Sequence, residues 1–413
     1  MRMSMRVGAA VAAAVGGAAL LLAAGSGSPS SGQERPEVTV TNIEVPVRVF
    51  SEGRFVEGLK ASDFEIYEGG RVRPLQGFYY IRAGAVQGGE AFGPQPPVST
   101  RTIALLFQVQ DYHPRFVDLI EDLFRNVLRP GDTLSLQTPF RTYVLARQAF
   151  EVKSRDVLIE EMARLLRNDI QAGSGEFNSQ FIELRRIARS IADVNPLVGI
   201  EDGPEGVSSV LRDLLPRYRE SVERMESSRI IDPRKFLAFA ARLKAVGGRT
   251  SVFLVYQREY RPELQQVVVN RLMSDFQDAP DLLADIQELF LTRRRETSFE
   301  VEPVQRAFSD ALIDFHFIYM NKEYEYVPGI EMRESSEEYF RAFSVLARAT
   351  GGTVDTSQNP AVGFRTAAES ADSYYLLYFE PEDVKRDGTF HRIAVRVKDP
   401  SWQVVYRTGF YAD

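Results

Sequence analysis

Between Thr102 and Phe107 the chain reads TIALLF, apolar at both odd and even positions from Ile103 onward and free of charge. A strand with one wet face alternates every second residue, so a run apolar on both parities suits a strand covered on both sides, at the centre of a mostly parallel sheet. The period then changes. In PRFVDLIEDLFRNVL, residues Phe116, Leu119, Ile120, Leu123 and Val127 fall on one helical stripe, and RPGD stops it. TLSLQTP and TYVLARQAF read as short strands and SRDVLIEEMARLLRND as a helix. SVFLVY and DFHFIYM read as later strands, with helices between them from Pro262 to Arg293 and from Val304 to Leu312. Alternation of this kind predicts an α/β domain over residues 101–370.

Both ends of the chain follow a different rule. VTVTNIEVPVRVF, from Val38 to Phe50, alternates apolar and polar residues, and DFEIYEGG and RVRPLQGFYYI continue as short segments bounded by Gly, Asp or Pro. Residues 37–82 therefore read as an N-terminal β segment and residues 83–100, rich in Gly and Pro, as a linker. At the other end SYYLLYFEP and TFHRIAVRVK are expected to form a hairpin through Asp387 and Gly388, with SWQVVYRTGFYA as a third strand. Residues 371–413 are expected to pair with the N-terminal segment in one β-sandwich-like domain, into which the α/β domain is inserted. Within the α/β part, residues 170–231 include RDLLPRYRESVERMESSR and predict a solvent-exposed helical insertion. Asp232 with Pro233 marks a helix start, and Gly247 with Gly248 marks a stop.

The first residues have a third character. Arg2 and Arg6 precede VGAAVAAAVGGAALLLAAG, the pattern of a signal peptide over residues 1–25, cut near Ala24 to Ser26 and followed by a flexible tether over 26–36. An uncleaved membrane anchor is the competing reading, because the apolar stretch approaches the roughly 20 residues that span a bilayer. The expected location is the periplasm, the cell envelope or the extracellular space, with membrane contact only through that leader.

Composition narrows the chemistry. The 413 residues contain no Cys, which excludes structural disulfides, thiolate metal sites, Cys nucleophiles and lipid attachment through Cys. The formal net charge is −7, and loss of Arg2 and Arg6 with the leader makes it more negative, against a nucleic-acid partner. The run Arg293 to Arg295 reads as a solvated helix end. No P-loop, H-E-x-x-H, G-x-S-x-G elbow or G-x-G-x-x-G after a strand occurs. Of three His, His113 follows the first central strand, where open α/β sheets bind ligands. His316 reads as a core or edge residue and His391 as a cross-strand partner. Asp118, Glu121 and Asp122 form an acidic cluster on the polar side of their helix. Tyr374, Tyr375, Tyr378 and Phe379 imply either a strand buried on both faces or an exposed aromatic patch.

The order VTVTNIEVPVRVFSEGRFVEGLKASDFEIYEGG, RTIALLF, LRPGDTLSL, LARATGGTV and SYYLLYFEPEDVKRDGTFHRIAVRVK resembles the exported bacterial proteins described as von Willebrand factor A-related. The resemblance covers most of the chain apart from the helical insertions. It implies a doubly wound A-type domain and a metal-dependent adhesion site at the carboxyl end of the first strand, built on Asp-x-Ser-x-Ser with a Thr and a second Asp from other loops. Gln108, Gln110 and Tyr112 stand at the motif positions, and Tyr256 and Gln257 stand where the second acid would follow SVFLV. Mg²⁺ requires near-octahedral oxygen ligands at about 2.1 Å with carboxylate charge, and neutral amides supply none. Shifting the register to Asp111, His113 and Arg115 brings in a guanidinium, which repels a cation.

These residues lead to the expectation of an exported, non-enzymatic interaction or adhesion-type protein without metal or cofactor. Its protein partner, with an envelope component among the candidates, would be bound at the sheet end through Gln108, Gln110, Tyr112, His113, Tyr256 and Arg258, or through the helical insertion. A secreted hydrolase with fold-assembled carboxylates and a structural envelope component are the alternatives.

Overall fold

A computed structural model describes residues 42–90, 101–145, 147–194, 203–292, 299–382 and 388–411. The leader and tether expected at 1–36, residues 91–100 of the linker, the arginine run 293–295 and Asp387 lie outside the described residues. Among the described residues no helix is long and apolar enough to cross a membrane.

Alternation shapes the first strands. β1 (Ile43–Ser51) turns Val45, Val47 and Val49 into a core, and β2 (Arg54–Phe55), β3 (Phe64–Glu68), β4 (Arg71–Arg73), β5 (Leu75–Arg82) and β6 (Ala85–Glu90) follow. β6 occupies part of the expected linker. Its glycines have little side chain to pack, but their backbone groups pair antiparallel with β5 after a turn at Ala83 and Gly84, both at positive φ.

The apolar run forms β7 (Thr102–Gln108), and the helical stripe forms α1 (Phe116–Asp122), extended by a wide π turn over Leu123–Val127. β8 (Thr133–Gln137) and β9 (Thr142–Leu145) follow. The strand expected to run to Phe150 stops at Leu145, and α2 (Arg147–Val152) takes the remainder. α3 (Arg155–Gly173), α4 (Gly175–Ala192), α5 (Gly203–Arg229) and α6 (Pro233–Val246) lead to β10 (Thr250–Gln257). The Asp232 side chain accepts from the Arg234 amide and Pro233 fills the first turn, so the start of α6 is capped as its sequence predicts. β11 (Tyr260–Leu264) is a strand where a helix was expected from Pro262. It is buried throughout because Arg261 pairs with Glu263 and Glu226, so charged residues sit inside without alternation. α7 (Gln266–Asp275), α8 (Pro280–Thr292), α9 (Val301–Asp310), β12 (Ile313–Met320), β13 (Ile330–Glu334), α10 (Glu337–Thr350), β14 (Val354–Ser357) and α11 (Pro360–Asp372) complete this part. Gly351 ends α10 in the left-handed region at φ 87. β15 (Ser373–Phe379), β16 (Phe390–Val397), β17 (Gln403–Tyr406) and β18 (Gly409–Tyr411) close the chain.

The molecule is a mixed α/β structure with one largely parallel sheet and several antiparallel ones. The former has the order β14-β12-β10-β7-β8-β9, parallel except for β8 with β9. Helices cover both faces. Ile103, Leu105 and Phe107 pack with α1, α3 and α11, while Ala104 and Leu106 pack on the side of α6, α9 and α10. That two-sided burial is why β7 has no alternation.

Two antiparallel sheets, β17-β1-β15-β5-β6 and β18-β16-β3-β4, share a second core, with β1 pairing both β15 and β17 from the far end of the chain. The expected hairpin does not form. β15 lies in the first of these sheets and β16 in the second, where it pairs with β3. The expected third strand likewise divides into β17 and β18, one in each sheet. Tyr375, Leu377 and Phe379 enter the shared core while Leu376 and Tyr378 pack on the other side, so this strand carries no exposed aromatic patch.

The helices expected as an exposed insertion own a third core. Leu184, Ile187 and Ile191 of α4 and Leu211, Leu215, Tyr218, Val222 and Met225 of α5 pack with β11, α7, α8 and β13. The stripe Leu215, Tyr218, Val222 and Met225 is helical in period, and the charges around it cover the wet face.

Candidate functional site

Parallel strands end together, and β7, β10 and β12 deliver their last residues to one place: Gln108 lies opposite Tyr256 and Gln257 opposite Met320 in the ladders. Of the six residues expected to bind there, Gln108 is exposed and Tyr112, His113 and Arg258 are half-buried. Gln110 is 7% exposed and Tyr256 only 1%, so these two do not face a partner. Tyr256 points to the other side of the strand, where its ring stacks on Tyr319 at 6.1 Å and meets Tyr339 and Phe343. Burial, with Glu259 nearby, pushes its phenol well above the ordinary range.

Gln257 organises the loop after β7. Its Oε1 accepts from the backbone N–H groups of both Gln110 and Asp111, each at 2.9 Å. Asp111, next along, takes the Lys322 ammonium, which β12 delivers just beyond its end. The ring of Tyr112 lies edge-on to Phe116 with the Arg167 guanidinium 5.6 Å above it. Burial pushes its phenol up, against the pull of Arg167. His113 Nδ1 accepts from the Arg115 backbone N–H at 3.2 Å, and partial burial together with Arg115 lowers its pKa, so the imidazole is neutral at neutral pH. Arg258 pairs with Glu334 at 3.0 Å and lies over the rings of Tyr319 and Tyr260. Burial alone would lower its pKa, but Tyr319 and Glu334 outweigh that and raise it.

This donor set does not suit a divalent ion. The one carboxylate at the loop is held by an ammonium, and the Gln257 amide oxygen is occupied by two N–H groups. Among the described residues no group of three or more His, Asp or Glu could hold a metal. Lys322 and Gln257 were missing from the expected set. Lys322 is signalled only by being the first charge after DFHFIYM, once that strand is placed beside β10.

The other sequence candidates lie apart. Asp118, Glu121 and Asp122 line an open groove, each held by an arginine: Arg115 at 3.1 Å, Arg125 at 2.7 Å and Arg365 at 2.6 Å. His316 is fully buried, and its Nδ1 accepts from the Thr353 N–H at 3.2 Å. His391 stacks on its ladder neighbour Phe410 at 5.2 Å, with Nδ1 3.4 Å from Glu68.

No protein-family profile matches the chain, and no curated protein matches it. Among solved structures, the human COPII-coat protein Sec24c overlays with a TM-score of 0.32 at 7% identity, over 76% of this chain and 43% of that one. The chain thus spans less than half of that protein's length, and an overlap this loose carries no conclusion about fold or activity.

Proposed function

We propose that the chain is an exported, non-enzymatic protein-interaction module: a von Willebrand factor A-type, doubly wound domain carried on a β-sandwich, whose metal-dependent adhesion site has been replaced by internal contacts. Supporting this are the leader-like residues 1–25, the segment order quoted above, and a parallel sheet covered by helices on both faces. The observation that carries it is the Asp111–Lys322 pair beside the Gln257 amide. Where an ion would organise the loop, an ammonium and an amide oxygen already do so. Gln108, Tyr112, His113 and Arg258 remain at the surface, a mixed polar and aromatic set suited to a protein partner.

Photo-crosslinking in the bacterial host tests this reading. A photoreactive residue at Gln108 or His113 is expected to capture one and the same protein, whereas a control at Val267, 66% exposed on α7, captures none. Equal labelling from all three positions, or none from any, contradicts it. Mass spectrometry of the chain from envelope fractions, with its first residue near Ala24 to Ser26, tests export.

A further inference from the structure

Between β12 and β13 the chain runs NKEYEYVPG, and Glu323, Tyr324, Glu325 and Tyr326 are exposed one after another. The chain has 17 tyrosines, and only Tyr324 and Tyr326, at 56% and 73%, stand exposed. A phenol ring left in water forgoes the burial that stabilises the other fifteen, and tyrosine is among the residues enriched where binding energy concentrates in protein interfaces.

The segment is tied down along its length. Asp111 takes Lys322, which sets the segment beside the candidate site. Glu325 pairs with Arg185 of α4 at 3.0 Å, and Val327 is buried and bridges to Ile330. The Tyr324 ring stands edge-on to Tyr260 at 5.0 Å. A surface held in this way loses little freedom on binding.

Its spare charge has one sign. Lys322 and Arg185 are each used by an acid, whereas among the described residues no hydrogen bond or ion pair engages Glu323 or Glu331, both exposed. The neighbouring residues show how tyrosines and acids of this chain take a cation. The Arg258 guanidinium lies 6.0 Å and 5.9 Å from the rings of Tyr260 and Tyr319 and pairs with Glu334 at 3.0 Å.

We propose that residues 323–326 receive a basic, arginine-bearing segment of a partner protein, with guanidinium groups over the Tyr324 and Tyr326 rings and Glu323 as counter-charge. Arginine suits this surface better than lysine, because its planar fork stacks on a ring and meets a carboxylate at once. An acidic segment would be repelled by Glu323. The inference rests on the chain being an interaction module and names the chemistry that the module recognises.

A labelled eight-residue peptide of alternating Arg and Gly is titrated with the full chain by fluorescence anisotropy, beside its Glu and Gly counterpart. The Arg peptide is expected to bind saturably and more weakly as salt rises, and the Glu peptide not to bind. Tyr324→Ser with Tyr326→Ser keeps every charge, falls on exposed positions, and is expected to weaken the Arg peptide about tenfold. Glu160→Gln, which removes an exposed acid on α3, is expected to leave it unchanged. An Arg peptide that does not bind, or that binds the double tyrosine variant as well as the unsubstituted chain, overturns the inference. Either result leaves the interaction reading itself to the crosslinks at Gln108 and His113, so the two fail separately.

Discussion

Arg48 Nη2 lies 2.7 Å from Asp314 Oδ2, joining β1 to β12 across 266 residues of sequence. Asp314 also takes Arg249, whose guanidinium stands 3.8 Å over the Tyr374 ring. Removing the charge of Asp314 leaves two buried arginines without their carboxylate. Asp314→Asn is expected to cost about 3–5 kcal/mol, read as a lowered urea midpoint with little change in slope.

The same cluster sets a pH dependence. Burial and the two arginines hold His316 down at about 3, against an unfolded value near 6.5. The unfolded chain therefore takes the proton first, and stability falls as pH drops from about 6.5 toward 3, with a slope of up to about 1.4 kcal/mol per pH unit. Burial opposes ionisation of Asp314, but Arg249 and Arg48 outweigh it and lower its pKa, so its contribution is present above about pH 4 and is lost below that. His316→Gln is expected to flatten the pH 4–6 limb of urea midpoints. An unchanged limb places the titration elsewhere.

How much of this was legible depends on the distance over which each signal acts. β7, β10 and β12 are continuous apolar runs with both faces covered, and the start at Asp232 and the stop at Gly247 are local chemistry, so they could be read directly. The end of β15 followed by Asp387-Gly388 looked equally local. The chain instead crosses from one antiparallel sheet to the other, and a turn motif does not report which sheet a strand joins. β11 hid because Arg261 and Glu263 are buried by pairing with each other, which periodicity scores as exposed. At the candidate site, adjacency to TIALLF exposed Gln108 and His113. Lys322 and Gln257 come from neighbouring strands, and the face of Tyr256 follows from the helices beneath it.

Gln257, buried at the end of β10, holds the loop after β7 in place. Gln257→Leu leaves the N–H groups of Gln110 and Asp111 without their acceptor, at a cost of about 2 kcal/mol. Hydrogen exchange should quicken at those two amides while β10 itself stays protected.

Gly352 marks a close approach of backbone to backbone. A Cβ there would sit 1.8 Å from the Phe315 carbonyl oxygen of β12, where the chain enters the edge strand β14. Gly352→Ala is expected to lose at least about 3 kcal/mol in thermal or urea unfolding.

The central claim concerns charge at the end of β7, where Asp111 is neutralised by Lys322 and the remaining side chains are uncharged or cationic. Calorimetric titration of Mn²⁺ and Mg²⁺ into the purified chain tests it most directly. The account predicts no saturable heat for either ion. A stoichiometric binding isotherm that disappears in Asp111→Ala or Gln108→Ala contradicts it.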